Sequence, residues 1–321
     1  MHSDSYPRSG GRTCNMSDLK LFRLVSGSVS ELSSATVVLE KSLQTMFEAN
    51  LETLLGVRFL ASEFKTNEGG RMDTLGIDEN NVPVVIEYKR ASNENVVNQG
   101  LFYLDWLMGH RKDFEWLVME TLGKEVAAKV DWSGARLICV AGDFQKWDQH
   151  AVKQMNRTID LVRYRRYGDD LLLLELLTAT TAKPSDVSSM PSTQTVAAVQ
   201  TKKYKTVTQQ IAEAPTAVSD IYHAVASYLE AAGDDVQVKT TDFYVAFRRL
   251  KNFACVEVRN QIGKVLVFLR VDPDAVDLHP GFTRDVRGIG HFGTGDLEVT
   301  IQSPSDLEKA KPLFDLAYQN G

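Results

Sequence analysis

The hydrophobic pattern of the chain is most distinctive at residues 83–89, which read Pro-Val-Val-Ile-Glu-Tyr-Lys. The apolar run from Val84 to Ile86 is typical of a strand that is covered on both faces of a sheet. This strand passes directly into Glu87 and Lys89. Because side chains alternate along a strand, Glu87 and Lys89 share one face and Tyr88 occupies the other. Charged groups at the end of a buried strand need partners or a function.

A second carboxylate precedes this strand. The polar turn within residues 76–83 predicts a hairpin that brings Asp73 beside Glu87. Two convergent carboxylates favour a hard divalent cation such as Mg²⁺ or Mn²⁺, whose ligands are oxygens. A neighbouring lysine can position a water and stabilise charge on a phosphate during phosphodiester hydrolysis. A structural ion pair at the edge of a sheet is the alternative interpretation of the three residues.

Asp73, Glu87 and Lys89 resemble the Asp…Glu-x-Lys core of the PD-(D/E)XK nuclease superfamily. The segments Gly-Arg-Met-Asp-Thr-Leu-Gly-Ile-Asp, Val-Ile-Glu-Tyr-Lys-Arg and Asn-Gln-Gly-Leu-Phe-Tyr-Leu-Asp-Trp-Leu are similar to NucS-type endonuclease-like domains of prokaryotes. Met72 stands where the superfamily's name has a proline. The resemblance covers residues 17–178 and implies a restriction-endonuclease-like α/β fold, with a mixed sheet flanked by helices. It also implies that Asp73 and Glu87 bind Mg²⁺ or Mn²⁺ and that Lys89 positions the attacking water.

The same resemblance implies a glutamate on a helix before the core. Apolar residues at helical spacing predict that helix over residues 38–56. Glu48 is favoured as the catalytic glutamate, because Phe-Glu-Ala-Asn-Leu-Glu matches the family's first motif. Glu40 and Glu52 are interpreted as solvated helix residues, and the same ordinary role is the alternative for Glu48.

The resemblance further implies that Gln99 and Tyr103 border the site. Both lie on a helix predicted over residues 95–109, four positions apart and therefore on one face. With Arg71 of the Gly-Gly-Arg motif, they are expected to bind substrate, or to support Lys89. A buried tyrosine whose hydroxyl is satisfied by a nearby amide is the alternative.

The remaining pattern predicts how the chain is divided. Strands and helices alternate through the first part, which predicts an α/β core with a mixed sheet. A small, polar, proline-containing segment predicts a flexible linker, and a further set of helices and strands predicts a second, smaller α/β (α+β) domain. The polar N-terminal segment lacks the apolar centre of a secretory signal and is expected to be a disordered leader. The predicted divisions are 1–16 leader, 17–178 nuclease-like domain, 179–205 linker and 206–321 second domain.

The second domain resembles a bacterial domain of unknown function that follows nuclease-like domains and is sometimes labelled transport-associated. The sequence offers no physical support for a role in transport. Residues 288–293 match the pattern GxGxxG. We reject them as a dinucleotide site, because such a loop joins a strand to a helix, whereas here a strand is predicted to follow. His291 is interpreted as structural, with a phosphate contact as the alternative.

Charge, hydrophobicity and cysteine content exclude few classes of function. The net charge of −6 argues against a surface coated for non-specific nucleic-acid binding, but leaves room for a local basic groove. No apolar run reaches the roughly 18 residues of a membrane span, so no membrane partner is expected. Three widely spaced cysteines fit a reducing cytoplasm.

The expected function is that of a metal-dependent endonuclease with nucleic acid as its partner. DNA is the favoured substrate, with RNA left open, and a homodimer is also left open. The alternatives are a nucleic-acid-binding module without turnover, which would release its ligand as salt rises, and a protein-interaction adaptor.

Overall fold

The computed structural model describes residues 19–35, 40–90, 96–182 and 205–321. The predicted leader and residues 183–204 of the predicted linker lie outside the described residues. Within these ranges the chain forms two sheets, each with its own hydrophobic core, in addition to an N-terminal hairpin.

The first domain contains nine strands and six α-helices within the described residues. In chain order they are β1 (Leu21–Val25), β2 (Ser28–Leu32), β3 (Ser34–Ala35), α1 (Glu40–Ala49), α2 (Leu51–Leu55), β4 (Val57–Lys65), β5 (Arg71–Asp78), β6 (Pro83–Lys89), α3 (Val96–Gly109), α4 (Arg111–Leu122), α5 (Lys124–Ala127), β7 (Arg136–Ala141), α6 (Lys146–Gln154), β8 (Thr158–Tyr167) and β9 (Leu171–Thr180).

The central sheet of this domain has the order β3-β8-β7-β6-β5-β4, and β9 pairs with β8. Strands β4, β5 and β6 are antiparallel, whereas β6, β7 and β8 are parallel. Helices α3, α4 and α5 lie between β6 and the parallel β7 and form the crossover that a parallel pair requires. The predicted α/β class with a mixed sheet is therefore confirmed.

Both faces of the sheet are covered, as the apolar run in β6 predicts. Val85 packs with residues of α3 and α4 on one face, whereas Val84 and Ile86 pack with α1 and α2 on the other. All three side chains are fully buried. Consequently, Asp73, Glu87 and Lys89, which follow the alternation of Val85, belong to the α3 face, and Tyr88 belongs to the α1 face.

The second domain is an antiparallel sheet with helices on one face, which makes it α+β. Its sheet order is β10-β11-β12-β13-β15-β14, and all its pairs are antiparallel. Its elements are α7 (Val207–Ala212), α8 (Thr216–Glu230), β10 (Gln237–Thr240), β11 (Val245–Arg248), β12 (Asn252–Arg259), β13 (Lys264–Leu269), β14 (Thr283–Asp285), β15 (Leu297–Ile301) and α9 (Pro304–Gln319).

The glycine-rich segment 288–293 leads into β15 and not into a helix, as predicted. Gly293 (φ +78°) and Gly295 (φ +132°) adopt backbone conformations that favour glycine and pack against the sheet. In the described part of the chain, no helix has the length and apolar character needed to cross a bilayer.

Candidate active site

Asp73 and Glu87 meet on adjacent strands, β5 and β6. The backbone N–H of Asp73 donates a hydrogen bond to Oε1 of Glu87 (3.2 Å). The backbone N–H of Tyr88 donates to Oδ2 of Asp73 (3.0 Å). The antiparallel pairing of Thr74 with Ile86 sets this register, since the preceding residue on β5 then lies beside the following residue on β6. The predicted hairpin thus brings the two carboxylates together.

Burial and neighbouring negative charges disfavour the charged form of both carboxyl groups. Burial and the nearby charge of Asp73 raise the pKa of Glu87 to about 9. Burial also raises the pKa of Asp73, against the opposing effect of the Tyr88 N–H. The Glu87 side chain is fully buried. A buried pair of like charges is stable only if one carboxyl keeps a proton or a cation compensates both.

One oxygen of this pair is available to a ligand. Oε2 of Glu87 is buried, and it accepts no hydrogen bond from the described residues. A buried unpaired carboxylate oxygen beside a second carboxylate fits the oxygen preference of Mg²⁺ or Mn²⁺. Within the described ranges, no group of three or more His, Cys, Asp or Glu side chains is arranged to hold a metal ion. Asp73 and Glu87 would therefore be the protein's two ligands, with water or substrate oxygens completing the coordination.

Lys89 follows Glu87 by two positions on the same strand face. Its ammonium group donates a hydrogen bond to Oε1 of Glu40 (3.0 Å), at the start of α1. Burial works against the charge of Lys89, but the hydrogen bond with Glu40 and the charges of Asp73 and Glu87 raise its pKa overall. Lys89 is therefore positively charged at neutral pH beside the carboxylate pair.

The structure places Glu40, and not Glu48, beside Lys89. Glu48 accepts hydrogen bonds from the Thr74 hydroxyl (2.7 Å) and from the Gln44 side-chain amide (2.9 Å). Thr74 lies on the α1 face of the sheet, whereas the Asp73 side chain belongs to the opposite face. Glu48 as the catalytic glutamate therefore stays a prediction, and Glu40 is the glutamate of α1 that hydrogen-bonds Lys89. The negative charge of Glu40 also acts on both Asp73 and Glu87.

Gln44 is a further residue that the sequence analysis did not single out. Its side-chain amide donates a hydrogen bond to the backbone carbonyl of Asp73 (2.7 Å) as well as to Glu48. Glu40, Gln44 and Glu48 are spaced four apart, which is the signal that could have identified all three as one helix face. This face fixes the backbone of β5 at Asp73.

Tyr103, on α3, contacts the beginning of β5. Its hydroxyl accepts a hydrogen bond from the backbone N–H of Arg71 (3.0 Å). A Cβ at Gly70 would come within 2.6 Å of the Tyr103 ring, so glycine is needed there for the ring to approach. Gln99 is half-buried and lies one turn before Tyr103, on the same side of the helix.

The Arg71 side chain forms an ion pair at the beginning of β5. Its Nε pairs with Oε2 of Glu63 (2.6 Å), and the Arg71 side chain is 62% exposed. Oε1 of Glu63 accepts a hydrogen bond from Lys41 (2.9 Å). Arg71 and Lys41 thus form a small basic edge close to Asp73, whose pKa Glu63 also influences.

Comparisons with known proteins give one relative over nearly the whole chain. An uncharacterized protein of Haemophilus influenzae is 28% identical over 308 residues, covering 94% of this chain and all of the relative. Residues 207–321 match the family model of a domain of unknown function, DUF5655. The second domain therefore resembles a domain of unknown function, as expected.

Among solved structures, the chain is similar to a repair endonuclease from Pyrococcus abyssi, at 19% identity and a TM-score of 0.28. The match covers 42% of this chain and about half (51%) of the endonuclease chain. Structural similarity at this level is too low to assign a function.

Proposed function

We propose that the protein is a divalent-metal-dependent endonuclease that hydrolyses phosphodiester bonds, with DNA as the favoured substrate. The observation that carries this proposal is the buried pair of Asp73 and Glu87, in which Oε2 of Glu87 lacks a hydrogen-bond partner among the described residues. Lys89 lies on the same strand face. The family resemblance of these three residues in sequence agrees with this interpretation.

The carboxylates of Asp73 and Glu87 would hold Mg²⁺ or Mn²⁺. When bound, such a cation lowers the pKa of water and stabilises negative charge on a phosphate. The raised pKa of Glu87 means that its carboxyl must release a proton before it can serve as an anionic ligand. Metal binding by this pair is therefore expected to release a proton into solution.

Lys89 would supply positive charge and not proton acceptance, because its raised pKa keeps it protonated. Its ammonium can donate hydrogen bonds to the attacking water and to a non-bridging phosphate oxygen as charge accumulates there. As the water oxygen bonds to phosphorus its proton passes to bulk water, the bond from phosphorus to the leaving oxygen breaks, and the leaving oxygen takes up a proton from bulk water. Glu40 would orient Lys89, while Tyr103 would hold the backbone of Arg71 so that its side chain meets the nucleic acid.

The test is a cleavage assay with the purified protein. Labelled single-stranded, duplex and branched DNA, and RNA, are incubated with Mg²⁺, with Mn²⁺ or with EDTA. Cleavage of one substrate that requires the metal supports the proposal and identifies the substrate class. Salt-sensitive binding without cleavage would instead support a nucleic-acid-binding module. Neither binding nor cleavage would support an adaptor role.

A further inference from the structure

The second domain contacts the first at one end of the central sheet. Asp73 and Glu87 lie toward the other end of the same strands. Residues 79–82 form the turn between β5 and β6, and this turn contacts the second domain. Asp73 lies five residues before the end of β5, about 16 Å along an extended strand. The second domain therefore does not reach the carboxylate pair, but it holds the turn that connects the two strands carrying it.

The contacts at this turn are buried and mutually satisfied. The side-chain amides of Asn80 and Asn252 exchange two hydrogen bonds, at 3.0 and 2.8 Å. The Tyr244 hydroxyl donates a third hydrogen bond to Oδ1 of Asn80 (3.0 Å). Asn80 is 4% exposed and Asn252 is 2% exposed. Buried polar groups that satisfy one another specify a single geometry, because each would be costly if left unpaired.

The neighbouring residue of the turn adds a charged contact. Glu79 forms an ion pair with Arg270 of the second domain, and its Oε2 accepts a hydrogen bond from the backbone N–H of Asn252 (2.8 Å). Gly56, at the end of α2, has a φ of +64°, and a Cβ there would come within 3.0 Å of the Glu79 carboxyl group. The first domain thus leaves room for Glu79 to face the second.

A second group of contacts lies beside the turn, at the beginnings of β7 and β8. Asp160 is fully buried and accepts hydrogen bonds from Nε of Arg136 (2.6 Å), in its own domain, and from Nη1 of Arg248 (3.3 Å), in the second domain. Burial alone would raise the pKa of Asp160, but the charges of Arg136 and Arg248 lower it overall. Gln237 donates to the other oxygen of Asp160 (3.2 Å).

We infer that the second domain is a fixed support for the candidate active site, and that Asn80 and Glu79 are positioning residues for Asp73 and Glu87. The second domain fixes the turn between β5 and β6. These two strands carry Asp73 and Glu87, and hydrogen bonds across the strands hold both carboxylates. This inference rests on the proposed function in that it assigns the support to a metal-binding pair.

The test uses the full chain with the substitutions Asn80→Ala and Arg270→Gln. Arg249→Gln is the matched control. Arg249 and Arg270 are 29% and 30% exposed, but Arg249 hydrogen-bonds Asp235 and the Tyr318 carbonyl within the second domain. Two quantities are measured: backbone hydrogen exchange at each amide, and affinity for Mn²⁺.

We expect Asn80→Ala and Arg270→Gln to accelerate exchange within residues 71–89, including the Tyr88 amide that contacts Asp73, and to weaken Mn²⁺ binding several-fold. Arg249→Gln should accelerate exchange only in the second domain. Faster exchange that is equal in β5, β6 and the distant β9 would indicate general destabilisation and would overturn the inference. Unchanged exchange in β5 and β6 in both variants would also overturn it.

The proposed function and the supporting role of the second domain can fail separately. If the wild-type protein neither binds Mn²⁺ nor cleaves nucleic acid, the proposed function fails. The exchange of β5 and β6 in the variants still decides whether the second domain supports them.

Discussion

The ammonium group of Lys89 donates a hydrogen bond to Oε1 of Glu40 (3.0 Å), although the two residues are 49 positions apart in the chain. Helix α1 begins at Glu40, and β6 ends at Lys89. The contact therefore joins the end of the central strand to the beginning of the helix that covers the opposite face of the sheet. It holds the positive charge of Lys89 next to Asp73 and Glu87.

This contact predicts different effects for two glutamates of α1. Glu40→Gln removes a negative charge that favours protonated Lys89, so the pKa of Lys89 should fall. If cleavage needs a charged Lys89, the rate falls at high pH as Lys89 loses its proton. In Glu40→Gln this fall should occur at a lower pH than in the wild type. Glu48→Gln should leave that alkaline limb in place, because Glu48 contacts Thr74 and Gln44. An alkaline limb that moves in Glu48→Gln and not in Glu40→Gln would contradict this assignment.

The raised pKa of Glu87 predicts how stability depends on pH. Its ordinary value is 4.5, and in the folded protein it is about 9. Between these values the folded state binds more protons than the unfolded state, so the free energy of unfolding should fall as pH rises. Glu87→Gln should flatten this dependence in EDTA, measured by chemical denaturation between pH 5 and 9. An unchanged slope would show that Glu87 is not protonated in the folded state.

The same pKa predicts that metal binding strengthens with pH. A cation must displace the proton that Glu87 carries at neutral pH, so Mn²⁺ affinity should rise until pH approaches about 9. Isothermal titration in buffers of different ionisation enthalpy measures the proton released for each ion bound. Asp73→Asn should weaken the affinity and reduce the proton release, since it removes one ligand and the charge that raises the pKa of Glu87. Binding without proton release in the wild type would contradict the prediction.

The interface between the domains predicts unequal costs for two arginine substitutions. Arg248→Met leaves the buried Asp160 without one of its two arginines and should lower the free energy of unfolding by about 3 kcal/mol. Arg284→Met breaks a pair with Glu298 in which the arginine side chain is 56% exposed, and should cost less than about 1 kcal/mol. Denaturant unfolding measures both losses. Equal losses would argue against a buried charge network at the interface.

Much of the fold can be predicted from local patterns. The apolar run of β6, the polar turn before it and the spacing of Asp73, Glu87 and Lys89 define the hairpin, because strand alternation and antiparallel pairing act over short distances. The strand predicted to follow residues 288–293 is likewise observed, as Leu297–Ile301.

The choice of helix glutamate could not be predicted in the same way. The hydrophobic periodicity of α1 indicates which residues face the sheet, but not which face of the sheet the helix covers. Leu43 and Phe47 pack on the Tyr88 face, and Glu48 of the same helix accepts a hydrogen bond from Thr74, which shares that face. Glu40 reaches Lys89 because Glu40 is the first residue of α1, and the beginning of α1 lies next to the end of β6.

The contacts between the domains could not be predicted either. Glu79 and Asn80 are typical turn residues by composition, and their buried partners Arg270 and Asn252 lie 191 and 172 positions later. Pairs of this kind depend on how two folded domains dock, and no periodicity within one segment encodes that.

The most direct test of the proposed function is to compare metal-dependent DNA cleavage by the wild-type protein with that by Asp73→Ala and Lys89→Ala, beside Lys153→Ala as a control on the exposed face of α6. Circular dichroism and denaturant unfolding establish that each variant is folded. We predict that both site variants lose nearly all cleavage, whereas Lys153→Ala retains it. Full cleavage by folded Asp73→Ala and Lys89→Ala would contradict the assignment of this site.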